Sequence, residues 1–482
     1  MHRLSRPRGD IIRMSGVRAV ELQQAIQHMH GTPVVEGETA ASNTRATADN
    51  NPWLAIERGP MHLRQALVVA VVTVLMALDG FDVFSIAFVS PLIAAQWGIS
   101  PAELGVVLSM EMFGMAIGAY LLGSVADHFG RRPTALICLA LVASGMWHAS
   151  TADNVVLLSI IRLYTGLGIG GLLSTCNAIV AETTNDRYRS LAIAVMISGF
   201  PVGTAVGGAI AAEILSETGR WQSVFQFGAV ATAGSMLLFL WLVPETIPYL
   251  YHRRPGGALE RVNAILTRQA RQPIATLPPP VETARPRALV ELFEAQQMRV
   301  TVPLMFIFFA HMMTFYFLMK WIPKLVADLG HSTSDAGLVL VWANVGGVFG
   351  SIALSLLTRM AGLRVVIAGA LACGSLVVCL FGYAAGSLTQ LSVMAAVAGF
   401  FTTGATAGLY AISAHAFPTR LRAGGTGLVI AFGRGGAVLG PICAGLLFAI
   451  GWPLHWVAPV LACGSMIAAV LLARTSSRAA LT

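Results

Sequence analysis

The run Gln65-Ala-Leu-Val-Val-Ala-Val-Val-Thr-Val-Leu-Met-Ala-Leu-Asp79-Gly-Phe-Asp82-Val-Phe-Ser-Ile-Ala-Phe-Val-Ser-Pro-Leu-Ile-Ala-Ala95 is apolar over a bilayer's length except at two carboxylates. About 20 apolar residues carry a helix across the hydrocarbon core, so the run reads as transmembrane. Eleven more such stretches follow, at 102–126, 133–150, 154–182, 189–214 and 220–243, then at 300–326, 334–357, 363–383, 388–416, 422–449 and 453–474. The chain is 56% hydrophobic and 11% charged, against about 25% charged in soluble domains. An aqueous core has no use for so many bilayer-length segments. The expectation is an all-α membrane protein of twelve transmembrane helices in two six-helix, pseudo-symmetric halves.

The halves are 62–243 and 299–475, joined by a polar linker at 244–298 that contains Pro278-Pro279-Pro280. Residues 1–61 are polar and Arg-rich, without the apolar core of a cleavable signal peptide, and read as a disordered cytoplasmic tail. Residues 476–482 form a short cytoplasmic C-terminus. The net charge of +8 sits in short clusters between segments, so no nucleic-acid domain is expected. Arginines occupy the tail, Arg131/Arg132, Arg187/Arg189, the linker, Arg359/Arg364, Arg420/Arg422 and Arg474/Arg478, whereas the alternate loops hold only Arg220 and Lys324. Cytoplasmic loops carry the positive excess, so both termini are expected in the cytoplasm. Trp97, Trp147, Trp221, Trp321 and Trp452 fall near segment ends, where indoles suit the headgroup region. The six cysteines show no paired metal or redox spacing and read as packing residues.

The halves repeat. Arg187, Arg189, Gly203 and Gly207 superpose without gaps on Arg420, Arg422, Gly436 and Gly440, and the same offset carries Gly166 and Gly171 onto Gly399 and Gly404. Such halves favour rocking about a central site, as transporters use.

Between the second and third segments stands Gly123-Ser-Val-Ala-Asp127-His-Phe-Gly130-Arg131-Arg132-Pro133. This turn resembles the signature loop of the major facilitator superfamily. The resemblance implies a conformational latch, in which Gly123, Asp127, Gly130, Arg131 and Arg132 stabilise one state by contacts across the halves. The matching loop of the second half, 357–364, lacks a carboxylate, so its latch is expected to be weaker.

Asp79 and Asp82 share a helix face at i, i+3. Each intramembrane carboxylate costs about 2.5–3.5 kcal/mol on insertion scales, and two like charges in a low dielectric favour holding a proton between them. A capping or structural pair is the alternative. Asp79-Gly80-Phe81-Asp82 is similar to the first-helix motif of the aromatic acid:proton symporter family. Trp321-Ile322-Pro323, Phe417-Pro418-Thr419-Arg420 and Gly433-Arg434-Gly435-Gly436-Ala437-Val438-Leu439-Gly440-Pro441 resemble the same family. The likeness covers 62–475. It implies import of benzoate-like acids such as 4-hydroxybenzoate and protocatechuate, driven by protons, with the proton-coupling role on Asp79 and Asp82.

Arg434 lies near the midplane of segment eleven, and its guanidinium fork suits a carboxylate. It is expected to hold the substrate anion or an Asp, with a structural ion pair as the alternative. Arg162 reads as a second candidate, but it lies nearer the outer end, where a gate or a structural pair is the alternative. Glu111 and Glu213 are further carboxylates in apolar surroundings, able to relay protons or pair with arginines. Asn344 and His311 read as substrate contacts or as interhelical glue. Tyr316, between Phe315 and Phe317, offers a ring and a hydroxyl to an aromatic substrate, though core packing or lipid contact is the commoner use of such a triplet. Lys320 is expected to snorkel outward beside Lys324.

The expectation is thus a monomeric, multi-pass symporter of a small aromatic carboxylate in a bacterial-type inner membrane. It draws on the proton gradient, with no cofactor and no metal, and partners only substrate, protons and lipid. A transporter of another organic acid, sugar or drug is the main rival. A membrane sensor lacks a signalling domain, and an enzyme lacks any nucleophile–base or metal constellation.

Overall fold

A lipid-facing segment must satisfy its backbone hydrogen bonds internally, which leaves the helix as the one option for apolar runs of this length. The computed structural model describes residues 52–278, 291–384, 386–418 and 421–474. Most of the expected tail, Pro279 and Pro280 of the linker, Thr419-Arg420, Arg478 and the C-terminal residues 476–482 lie outside them. Among the described residues there are fifteen helices and no strand. The end of the expected tail is helical and not disordered, forming α1 (Pro52–Arg58), and the first half holds α2 (Leu63–Trp97), α3 (Pro101–Phe129), α4 (Arg131–Ala149), α5 (Val155–Thr183), α6 (Asp186–Thr218) and α7 (Trp221–Leu242). The linker carries α8 (Ile247–Arg253) and α9 (Ala258–Arg268). The second half holds α10 (Ala295–Asp328), α11 (Thr333–Ala361), α12 (Leu363–Phe381), α13 (Leu388–Ala416), α14 (Arg422–Ala449) and α15 (Leu454–Arg474).

Eleven of the twelve long helices are long and apolar enough to cross a membrane. The exception is α4, whose 19 residues begin with the two arginines of the signature loop. Even so, α4 packs into its half, burying Thr134, Cys138, Leu139 and Val142. The side that bears the start of α2 and the end of α15 is the tail side, and the opposite face is the far side. Far-side helix starts are closed by short polar caps. Ser100, Asn154, Ser332 and Ser387 accept from backbone N–H groups of the first turns of α3, α5, α11 and α13, satisfying donors that lipid cannot.

Within each half the helices meet through glycine, because lipid offers no hydrophobic drive for association and close packing must supply it. A Cβ on Gly203 of α6 would lie 1.8 Å from Ala77 O of α2, and one on Gly436 of α14 would lie 2.0 Å from Phe309 O of α10. Likewise Gly166 of α5 presses on Glu111 O of α3, and Gly399 of α13 on Ala343 O of α11. The glycines that repeat in sequence therefore make equivalent helix crossings in the two halves.

The described part of the linker folds, although its composition reads as a spacer. Ile56 of α1, Ile247 and Leu250 of α8, and Val262, Ile265 and Leu266 of α9 share a small apolar cluster on the tail side. Glu57 pairs with Arg189 at 3.0 Å and Asn185 donates to Gly59 O at 2.9 Å, tying α1 to the start of α6.

Glycine, hydrogen-bond and ion-pair contacts between the halves, among the described residues, run from mid-bundle to the far side. Gly105 of α3 abuts Pro441 and Gly445 of α14, and Gly208 of α6 abuts Val341 of α11. Ser334 of α11 donates to Ala212 O of α6 at 3.0 Å. These contacts hold the halves together on the far side.

Candidate functional site

Asp79 and Asp82 sit one turn apart in α2, both buried. The glycine between them lets α6 approach: Thr204 Oγ1 donates to Gly80 O at 3.0 Å, and a Cβ on Gly80 would lie 2.1 Å from Phe200 O. Thr232 of α7 donates to Asp82 Oδ2 at 3.3 Å. Asp82 Oδ1 and both oxygens of Asp79 have no hydrogen-bond partner. Unpaired polar groups at such depth are costly, and the sequence had marked both.

Arg434, on α14, is half-buried and makes no ion pair or hydrogen bond among the described residues. It stands within electrostatic reach of Asp79, Tyr316 and Tyr410. Tyr316 is also half-buried and Tyr410 is 42% exposed. Tyr316 lies parallel to Phe84 across the halves, with centroids 6.5 Å apart, and Tyr410 meets Phe308 edge-on at 5.3 Å. Surface left on Arg434, Tyr316 and Tyr410 in mid-bundle marks a space between the halves with a cation and aromatic walls, and the buried acid pair lies within electrostatic reach of it.

Beyond that space toward the far side lies a second charged group. Arg162 pairs with Glu111 Oε1, donates to Asp82 O at 2.9 Å and lies with its guanidinium 5.5 Å from the Phe225 ring centroid. Lys320 lies 3.4 Å from Glu111 Oε2 and donates to Val83 O. Arg162, Glu111 and Lys320 are fully buried.

Several expectations change. Lys320 does not snorkel outward; Val83 O and Glu111 hold it inside. Arg162 and Glu111 neutralise each other and face no open space, so neither is positioned to touch a substrate in this conformation. Glu213 is exposed on the surface of α6. His311 bridges Ser465, Thr402 and Thr406 as interhelical glue, and Asn344 donates to Leu340 O of its own helix. Of the aromatic triplet, Phe317 is core and Tyr316 reaches the central space. Trp221 and Trp321 are buried, bonded to Gln96 and Pro441 O, whereas Trp147 and Trp452 are exposed.

The signature loop folds back on its own half. Arg131 pairs with Asp127 at 3.1 Å and Glu182 at 2.9 Å, and Arg132 donates to Leu240 O. Gly130 adopts φ 109, open to glycine, and a Cβ there would strike Glu245. Gly123 on α3 faces only Ser174 of α5. Burial pushes the Glu245 carboxyl above its ordinary range, although the N–H groups of Thr246, Arg132 and Arg131 donate to it. In this conformation none of these loop contacts crosses to the second half.

Sequence reasoning passed over Tyr410, Thr232 and Phe84. Tyr410 carries no signal beyond its residue type. Thr232 and Phe84 gain meaning only from the acid and the lysine that other helices bring beside them.

The Major Facilitator Superfamily profile matches residues 72–384 and 304–481. A gallate transporter of Pseudomonas putida is 31% identical, over 84% of this chain and 90% of that protein. The 4-hydroxybenzoate transporter PcaK of the same organism is 29% identical over 86% and 93%. A benzoate transport protein of Acinetobacter baylyi is 28% identical over 82% and 85%. The fold is that of the xylose transporter XylE of E. coli, solved in a partially occluded inward-open conformation: TM-score 0.64, 18% identity, 84% of this chain and 96% of that one. The chain belongs to the Major Facilitator Superfamily, a family of transporters and not of enzymes, and within it groups with the aromatic acid transporters.

Proposed function

We propose that this chain is a proton-coupled symporter that imports a small aromatic carboxylate by alternating access. The observation that carries the reading is the unpaired Arg434, held within electrostatic reach of the unpaired Asp79 across the central space. An unpaired guanidinium at mid-membrane depth calls for an anion, and a carboxylate matches its fork in two bonds. Phe84, Tyr316 and Tyr410 supply ring faces and hydroxyls suited to a benzoate-type substrate such as 4-hydroxybenzoate or protocatechuate.

Charge balance links the proton to the acid. Among the described residues the buried Asp79, Asp82 and Glu111 stand against the buried Arg162 and Lys320 and the half-buried Arg434, three of each sign. A bound monocarboxylate adds one negative charge, and a proton on Asp79 or Asp82 restores neutrality before the halves rock. With the tail side cytoplasmic, the open space faces the cell interior and the far-side seal faces out. The protein then sits in a bacterial-type inner membrane with both termini inside. We read it as a monomer.

The test is uptake of labelled 4-hydroxybenzoate, gallate and benzoate into proteoliposomes under an imposed pH gradient. The wild type accumulates at least one of them only while the gradient lasts, and Asp79→Asn loses accumulation while keeping substrate exchange. Uptake indifferent to a protonophore would rule out the coupling, and failure on all three acids would rule out the substrate class.

A further inference from the structure

Lys320 belongs to α10 in the second half, yet all its polar partners among the described residues lie in the first. Its ammonium donates to Val83 O of α2, lies 3.4 Å from Glu111 Oε2 of α3 and stands 5.1 Å from the Phe84 ring centroid. The side chain is fully buried. A buried cation bonded solely to the opposite half contributes nothing to its own half's fold. It holds only while the halves are together on the far side, where Gly105 meets Gly445 and Ser334 meets Ala212 O. Parting the halves there strands the ammonium, and an unpaired buried charge is far costlier than a paired one.

Glu111 also connects this contact to the acid pair. One oxygen takes Lys320 and the other takes Arg162, whose Nη2 also reaches Asp82 O at 2.9 Å. Arg162 Nε and Asp82 Oδ1 both lack partners. The groups that act on Asp82 are Asp79 from its own helix, Glu111 from α3, Arg162 from α5 and Thr232 from α7, with Arg434 of α14 acting on Asp79.

We propose that Lys320 and Glu111 form the ionic gate of the far side, and that Glu111 passes the state of the gate to Asp82 through Arg162. With the gate shut, two cations share Glu111, and Arg162 has charge to spare for an ionised Asp82. With the gate open, Glu111 keeps Arg162 for itself, and Asp82 is left to take a proton. Opening to one side is thereby tied to loading and closure to release. The purpose of the device rests on the symport reading above, but its test needs no transport.

The experiment is hydrogen–deuterium exchange of the full chain in lipid nanodiscs without substrate, comparing wild type, Lys320→Met, Glu111→Gln and Lys320→Arg. Lys320→Met and Glu111→Gln should each speed exchange at the far-side ends of α3, α11 and α14 by about tenfold, or about 1.4 kcal/mol. Exchange at the tail-side ends should slow, and the double variant should add little to either single one. Lys320→Arg keeps the pair and should match the wild type. Unchanged far-side exchange in Lys320→Met would overturn the gate, and uniform acceleration through the bundle would assign the cluster to structure alone. If Lys320→Met does not fold, Lys320→Gln and Glu111→Gln decide by the same peptides. A chain that passes this test yet shows no proton-driven uptake would refute the symport reading and leave the gate standing.

Discussion

At the scale of single residues, Arg434 and Lys320 show how two cations in one bundle divide the work. Arg434 has no ion pair or hydrogen bond among the described residues, so its charge is available to a ligand, whereas Lys320 is already bonded across the halves. Replacing Arg434 with Gln removes charged hydrogen bonds to the substrate carboxylate, each worth about 1.5–3 kcal/mol. The expected outcome is a rise in KM of about ten- to hundredfold. Arg434→Lys keeps the charge but loses the fork, and should fall between the two. Both are read from the concentration dependence of exchange in proteoliposomes, and an unchanged KM in Arg434→Gln would move the anion site elsewhere. Thr232→Val tests a smaller element of the same site. It removes the donor to Asp82 Oδ2, which favours the ionised carboxylate, so uptake should tolerate a higher external pH than in the wild type.

Glycine contacts decide how the helices fit together. On α14, a Cβ at Gly436 would lie 2.0 Å from Phe309 O, whereas nothing lies within 4 Å of one at Gly427. Gly436→Ala should therefore force α14 from α10 and lower stability by about 1–3 kcal/mol. Gly427→Ala should leave the melting temperature in detergent unchanged or raise it. Equal melting temperatures for the two variants would remove backbone packing as the cause. This pattern was readable beforehand, because apolar runs gave the helices and the offset glycines gave the repeat. The acids and Arg434 were readable for a related reason: a charge inside an apolar run stands out. Lys320 was misread because a lysine two turns from a helix end reaches the membrane surface in most settings, and only α2 and α3 decide otherwise. The linker helices were hidden by glycines and prolines that break the apolar pattern into pieces too short to register, until Ile56 joins them from α1.

For the whole molecule, transport requires that neither side of the bundle be closed too firmly. On the gate proposed above, Lys320 and Glu111 hold the far side, and on the latch role that the resemblance implies, the signature loop holds the tail side once closed; its Asp127 is 65% exposed here and paired within its own half. On the latch role that the resemblance implies, closure of the tail side would bring that loop against the second half. Asp127→Asn should weaken the tail-closed state, lowering the turnover number while leaving KM nearly unchanged. Lys320→Met should weaken the far-closed state and also lower turnover, by the opposite imbalance. Two states shifted in opposite directions return toward their original ratio, since each tenfold change in population is about 1.4 kcal/mol and the shifts subtract. The double variant Asp127→Asn with Lys320→Met should therefore transport faster than either single one, measured as initial uptake at saturating substrate. Losses that multiply instead would mean that the two contacts act on separate steps and not on one equilibrium between the halves.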